Sequence, residues 1–180
     1  MSTKRSNFNP CMFEACNSIN EGLVGVKLNG KWGFVDETGK EVVPIKYDFA
    51  GCFCEGLGPV QLNGKWGYVD KTGKVVIPIK YDFTGLVFYN GSVMVKLNGK
   101  CGYVDKTGKE VIPIKYDYAS WFNEELVEVG LNGKCGLVDR TGKEVVPPIY
   151  DKIEKSRKGL AKVELNGEKF YIDQTGQRMK

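Results

Sequence analysis

The sequence predicts an all-β protein of five tandem units, each built from three to four antiparallel strands. Three observations carry this expectation. The segment LNGKWGFVDETGKEVVPIKYD at 28–48 returns at 62–82, 97–117 and 131–151, and in half form as LNGEKFYIDQTG at 165–176. Its Asn-Gly pair falls at Asn29, Asn63, Asn98, Asn132 and Asn166, spacings of 34, 35, 34 and 34 residues. A period of this length belongs to stacked or radially arranged supersecondary units. No stretch sustains the 3.6-residue apolar period of a helix, whereas β-branched runs alternate with turn dipeptides throughout.

In the first unit, LVGVKL (23–28) is β-branched and apolar and reads as a strand. Asn29-Gly30 follows, the dipeptide that best tolerates positive φ at both central positions of a type I′ hairpin turn. KWGFVD (31–36) returns as the second strand. Asp36-Glu37-Thr38-Gly39 predicts a turn whose first residue accepts backbone N–H bonds and whose glycine takes the left-handed region. EVVPIKY (41–47) is the third strand, and Pro44, which has no N–H to donate, makes it an outer or a broken strand. Residues 48–56 lead to the next unit and offer room for a short fourth strand.

The two-residue turn also sets the register. Leu28 faces Lys31, Lys27 faces Trp32, Val26 faces Gly33 and Gly25 faces Phe34. One face then carries Val24, Val26, Leu28 and Val35, and the other Trp32 and Phe34. Both faces are apolar, so each unit needs cover on both sides. Gly33 recurs as Gly67, Gly102 and Gly136. A glycine within a strand marks close approach by another group, here expected to be a side chain of the adjacent unit. Cys101 and Cys135 stand where Trp32 and Trp66 stand in the other units, which predicts cysteines used as small buried hydrophobes. In the last unit Lys169 replaces the Trp and Phe170 the Gly, and Lys169 faces Glu164. A cross-strand ion pair and a more polar face are expected there.

One repeat domain spans 1–180, with an N-terminal half-unit at 8–22, units beginning near 23, 57, 92 and 126, and a C-terminal half-unit at 160–176. The last unit stops at QRMK before a third strand. FNPCMFE (8–14) aligns with VVPIKYD, placing Pro10 on Pro44, Phe13 on Tyr47 and Glu14 on Asp48. This split predicts a five-bladed β-propeller closed by the N-terminal strand. The alternative is an open, β-solenoid-like array with polar caps.

KWGFVDETGKEVVPIKYD and its relatives resemble the WG-repeat (KWG-repeat) family of mostly bacterial proteins. The resemblance covers nearly the whole chain. It implies a β-repeat with a binding role and offers no catalytic residues to carry over. The chain departs from the family at Cys101 and Cys135, which replace the namesake Trp, and in the last unit, which loses the Gly as well.

Composition narrows the function classes. Hydrophobic residues make up 42% and charged residues 27%, with a net charge of +4 spread along the chain. That is too weak and scattered to point to nucleic acid. No apolar run has the length of a membrane span. MSTKRSNFNPCMFEAC lacks the apolar stretch of a secretory signal, so the chain reads as cytoplasmic with reduced thiols. There is no His in the chain, which removes His-dependent nucleophilic pairs and most catalytic zinc sites. Asp36, Asp70, Asp105, Asp139 and Asp173 supply one carboxylate per unit and read as turn caps. No spacing selects a carboxylate pair for glycoside hydrolysis. Cys11, Cys16, Cys52 and Cys54 lie in successive connections, but C-x₄-C and C-x-C are not zinc-knuckle spacings. The expectation is therefore no cofactor, no metal and no catalysis.

The connections vary where the turns do not. FAGCFCEG (49–56), FTGLVFYNG (83–91), YASWFNEE (118–125) and KIEKSRKG (152–159) differ most from unit to unit. A constant scaffold with varied segments is how binding proteins acquire specificity. The candidate interaction surface is Phe88, Tyr89, Trp121, Phe122, Lys155 and Arg157. The basic run at 152–159 could also meet a phosphate backbone, although a solvated loop is the simpler reading. The expected function is a non-catalytic protein-binding module, a subunit or neutralising partner in a larger assembly. The alternative is a carbohydrate or cell-envelope ligand binder with aromatic pockets between repeats.

Overall fold

A computed structural model describes residues 9, 12–121, 126–155, 160–173 and 175–179. Among these there is no α-helix, and the strands form five antiparallel sheets. The first holds β1 (Ala15–Cys16), β2 (Leu23–Leu28), β3 (Lys31–Asp36) and β4 (Glu41–Tyr47). The second holds β5 (Phe49–Ala50), β6 (Leu57–Leu62), β7 (Lys65–Asp70) and β8 (Val75–Tyr81). The third holds β9 (Phe83–Thr84), β10 (Ser92–Leu97), β11 (Lys100–Asp105) and β12 (Glu110–Tyr116). The fourth holds β13 (Tyr118–Ala119), β14 (Leu126–Leu131), β15 (Lys134–Asp139) and β16 (Glu144–Tyr150). The fifth holds β17 (Lys152–Lys155), β18 (Ala161–Leu165) and β19 (Glu168–Ile172). The chain divides into two compact units, residues 1–95 with 105–109, and residues 96–104 with 110–180.

The three strands read from the first unit of the sequence have the expected bounds. The register also follows the hairpin turn, with Lys27 opposite Trp32 and Gly25 opposite Phe34. Asn29 and Gly30 take φ of 50° and 75°, as a type I′ turn requires. The short fourth strand joins the following sheet: Phe49 and Ala50 pair with Gln61 and Val60. Each connection therefore begins by adding a strand to the sheet it leads to.

Gly33 has a different cause from the one expected. β3 meets β4 across a bulge, pairing Trp32 with Tyr47, Phe34 with Val43 and Val35 with Glu41. A Cβ at Gly33 would lie 2.6 Å from the Val43 carbonyl oxygen and 2.7 Å from the Ile45 Cα. The close approach comes from the sheet's own third strand. Gly67, Gly102 and Gly136 meet the carbonyl oxygens of Ile77, Ile112 and Val146 at the same 2.6 Å. The bulge lets β4 carry Pro44 at the edge, where no ladder donor is needed.

In the first unit, one apolar layer joins Phe34, Val43 and Tyr47 of the first sheet to Ala50, Phe53, Val60 and Val69 of the second sheet and its connection. The other face of the first sheet buries Val24, Val26 and Val35 against Phe13 and Ile45. It opens at the hairpin tip, where Leu28 is exposed. In the second unit, Leu137, Val146 and Tyr150 pack on Ile153, Ala161, Val163 and Ile172.

A polar clamp repeats alongside these layers. Lys31 Nζ meets Asp48 Oδ1 at 2.5 Å, while Asp48 Oδ2 accepts the Asn63 N–H at 2.6 Å. The same aspartate therefore holds the hairpin of its own sheet and the hairpin turn of the next. Asp117 does this for Lys100 and Asn132, and Asp151 for Lys134 and Asn166.

The expected third strand at 8–14 falls largely on residues outside those described. Within the described part, Glu14 accepts the Gly30 N–H at 3.2 Å, and Ala15 pairs with Lys27. Glu14 thus sits in relation to the first hairpin much as Asp48 does to the second, as the alignment predicts. The last sheet differs slightly from expectation, because a stub of third strand is present. Ile172 bridges Arg178, and the Met179 N–H donates to Tyr171 O at 2.8 Å.

Candidate interaction surface

The connections are held from beneath by buried groups, which decides what is left outside. At 49–56, Phe53 packs edge-to-face on Phe34 with centroids 4.8 Å apart. At 83–91, Phe88 does the same on Tyr68 at 5.0 Å. The Tyr68 hydroxyl donates to Gly85 O and lies 2.9 Å from Thr84 Oγ1. Burial pushes the Tyr68 phenol well above its ordinary pKa. At 118–121, the Tyr103 hydroxyl donates to Ser120 O at 2.6 Å, and burial raises its pKa to about 12.

The residues between these anchors turn outward. In 83–91, Leu86, Val87 and Tyr89 are 49%, 59% and 50% exposed. Thr84, Gly85 and Phe88 fix both sides of the Leu86-Val87 tip, and Asn90-Gly91, with φ of 49° and 78°, turns the chain into β10. Trp121 is 60% exposed on the following connection.

The candidate residues from sequence therefore separate. Tyr89 and Trp121 face solvent. Phe88 does not: it is buried, because its ring fills the layer over Tyr68. Lys155 ends β17, its side chain lies outside the described set, and Phe122 and Arg157 lie outside the described residues altogether. Leu86 and Val87 escaped the sequence reading. The available signal was an apolar pair in the one connection where the Asn-Gly spacing is 35 rather than 34.

Other candidate chemistry has structural employment. Trp32, Phe49 and Trp66 form a half-buried row with centroids 6.2 and 5.3 Å apart, so the rings fill the space between them. Asp36 Oδ1 accepts Thr38 N–H at 2.8 Å, Thr38 Oγ1–H at 2.6 Å and Lys40 N–H at 3.1 Å. The Thr38 hydroxyl and these amides hold its carboxyl below the ordinary aspartate range. Asp70, Asp105, Asp139 and Asp173 repeat the arrangement. Cys101 is buried as expected, but Cys135 is only half-buried. Its thiol lies 3.4 Å from the Tyr118 hydroxyl, which stays partly open to solvent. Cys16 and Cys52 are exposed and Cys54 is half-buried. Among the described residues, no three metal-binding side chains converge, and no helix is long and apolar enough to cross a membrane.

The last sheet carries the expected Glu164–Lys169 pair, at 3.5 Å. On the same face lie Lys152, Glu154 and Lys162, around a shallow cavity. Opposite charges are neighbours throughout this face: Lys152 opposes Glu164, which opposes Lys169, and Glu154 opposes Lys162.

Solved structures resemble the chain at low identity. A eukaryotic initiation factor is 11% identical, with a TM-score of 0.52 over 89% of this chain and 50% of its own. Hsv2p of Kluyveromyces lactis is 10% identical, with a TM-score of 0.45 over 90% of this chain and 62% of its own. The AfRom2 CNH domain is 13% identical, with a TM-score of 0.42 over 93% and 70%. The chain thus spans about half the length of the initiation factor. The initiation factor and Hsv2 are β-propeller proteins, and the first likeness speaks to fold alone. Among curated proteins none matches. The WG containing repeat matches at residues 10–32, 32–66, 66–101, 102–135 and 136–168. The chain belongs to the WG containing repeat family.

Proposed function

We propose that the chain is a non-catalytic protein-binding module, serving as a subunit or neutralising partner in a larger assembly. The observation that carries this is the outward apolar tip Leu86-Val87 with Tyr89, held on a connection whose ends are anchored by Tyr68, Thr84 and Phe88. Apolar side chains fixed in solvent gain free energy when a partner covers them, and a rigid mount lowers the ordering cost of binding. The alternative, a carbohydrate binder with aromatic pockets between repeats, is disfavoured by the half-buried Trp32–Phe49–Trp66 row, whose rings pack on one another in tilted contacts.

The test compares wild type with a Leu86→Asp, Val87→Asp variant in affinity capture with quantitative mass spectrometry. Thermal denaturation of both proteins should agree, because the substituted side chains are exposed. The expected result is loss of the wild type's specific partners. Retention of the same partners at the same level by the variant would sink the proposal.

A further inference from the structure

The first four sheets share a geometric requirement that the fifth breaks. In each of them glycine follows the Trp or Cys of the second strand, and a Cβ there would stand 2.6 Å from a third-strand carbonyl oxygen. The third strand can cross only where the side chain is absent. β19 carries Phe170 at that place. Its ring is half-buried and packs edge-to-face on Tyr150, with centroids 6.2 Å apart. The Arg178 guanidinium lies over the same ring, 4.1 Å from its centroid, and pairs with Glu168.

The start of the third-strand path is nevertheless followed. Ile172 bridges Arg178 as Val35 pairs with Glu41 in the first sheet. The next step along that path is the bulge, and the bulge would run into Phe170. We infer that Phe170 and Arg178 form a plug that closes the edge β19 presents among the described residues, so that it refuses an added strand of the repeat's own third-strand type.

The refused partner is defined by its chemistry: an EVIPIKYD-like strand from a second copy of the chain. The edge would otherwise invite one. Lys169 opposes Glu164 in the position where Trp32 opposes Lys27. In the first sheet that position pairs outward with Tyr47, so the Lys169 backbone N–H and C=O face the edge. Exposed edges template pairing between chains, and proteins guard them with charge and with side chains that spoil the fit. Glu168, Lys169 and Arg178 supply charge here, and Phe170 supplies the misfit.

The probe is a fluorescent synthetic peptide with the sequence EVIPIKYD, copied from residues 110–117. Wild type is expected to give no anisotropy rise and no added protection of the Lys169 amide against hydrogen exchange. Phe170→Gly with Arg178→Ala should bind at least about tenfold more tightly, about 1.4 kcal/mol. Phe170→Ala keeps the obstructing Cβ and should stay closed. Gly136→Ala is the converse change, and should speed exchange of the β16 amides by about tenfold or more. Peptide binding to wild type at the Lys169 edge overturns the inference, whether or not the double variant folds. So does a folded double variant that binds no better than wild type, or unchanged β16 exchange in Gly136→Ala.

Discussion

Replacing Tyr68 by Phe removes one oxygen from a site with no solvent access. Tyr68 is 0% and Thr84 1% exposed. The hydroxyl donates to Gly85 O and lies 2.9 Å from Thr84 Oγ1. The ring volume is nearly unchanged, so no cavity forms and Phe88 keeps its edge-to-face contact. What changes is hydrogen bonding. The Gly85 carbonyl loses its donor, and the Thr84 hydroxyl keeps only a 3.4 Å contact to Met94 O. A net hydrogen bond contributes about 1 kcal/mol, and a buried polar group left without a partner costs about 1–3 kcal/mol. The carbonyl is left unpaired, so the second figure applies, and the expected destabilisation is roughly 1–3 kcal/mol. At about 2–4 °C per kcal/mol for a chain of this size, Tm falls by roughly 2–12 °C. Urea denaturation gives the free energy, and hydrogen exchange locates the change, which should concentrate in the 83–91 connection. The first sheet is the internal reference, because Phe34 stands at the equivalent position with no hydroxyl. A loss below about 0.5 kcal/mol, the range of neutral surface changes, would refute the claim that this hydroxyl anchors the connection.

Acid should weaken the inter-sheet clamp. The Lys31 ammonium, then the Asn63 amide, hold the Asp48 carboxyl below its ordinary value, and Lys100 with Asn132 and Lys134 with Asn166 do the same for Asp117 and Asp151. A carboxylate depressed on folding stabilises the fold above its unfolded pKa and loses that contribution as pH falls through the folded one. Tm should thus be steady at neutral pH and drop as pH passes below the ordinary aspartate value of 3.8. Combined Asp48→Asn, Asp117→Asn and Asp151→Asn substitutions should flatten the drop, and an unchanged profile in that variant would count against the clamp. Thiol modification of the folded protein should proceed fastest at Cys16 and Cys52, slower at Cys135, and at Cys101 only on unfolding. Modification of Cys101 at the rate of Cys16 would contradict its burial.

Much of the fold could be read in the sequence because its strongest signals are local. Asn29-Gly30 fixes a two-residue turn, and the turn fixes the register of every residue on β2 and β3. Asp36 to Gly39 closes the next turn through bonds spanning at most four residues. What escaped depends on partners distant in sequence or on small departures from the repeat. Gly33 reads as a close-approach site, but only the bulge at Val43–Ile45 shows that the approaching group is the same sheet's backbone. Asp48 looks like the end of a strand, and its bond to Asn63 is invisible until the next sheet is placed. Phe88 and Tyr89 are neighbouring aromatics in one connection, and hydropathy cannot tell which enters the core. Alternation along the chain puts one in and one out, and Tyr68 decides which.

The clamp also explains why the repeat conserves charge where packing alone would not ask for it. Lys31, Asp48 and Asn63 join three segments through one carboxylate: the hairpin of one sheet, the exit from its third strand, and the hairpin of the next. Each exposed ion pair contributes little by itself. Its geometric effect is larger, because it fixes the point at which the connections after Asp48, Asp117 and Asp151 leave their sheets. The connection then adds a short strand to the following sheet, as Phe49-Ala50 does, so both of its ends are set before its middle is specified. A middle segment anchored in this way can change sequence freely without moving the sheets. Leu86-Val87 occupies such a middle, with the Tyr81–Asp82 exit on one side and the Asn90-Gly91 turn on the other. The same repetition that makes the scaffold legible therefore leaves the connections free to differ.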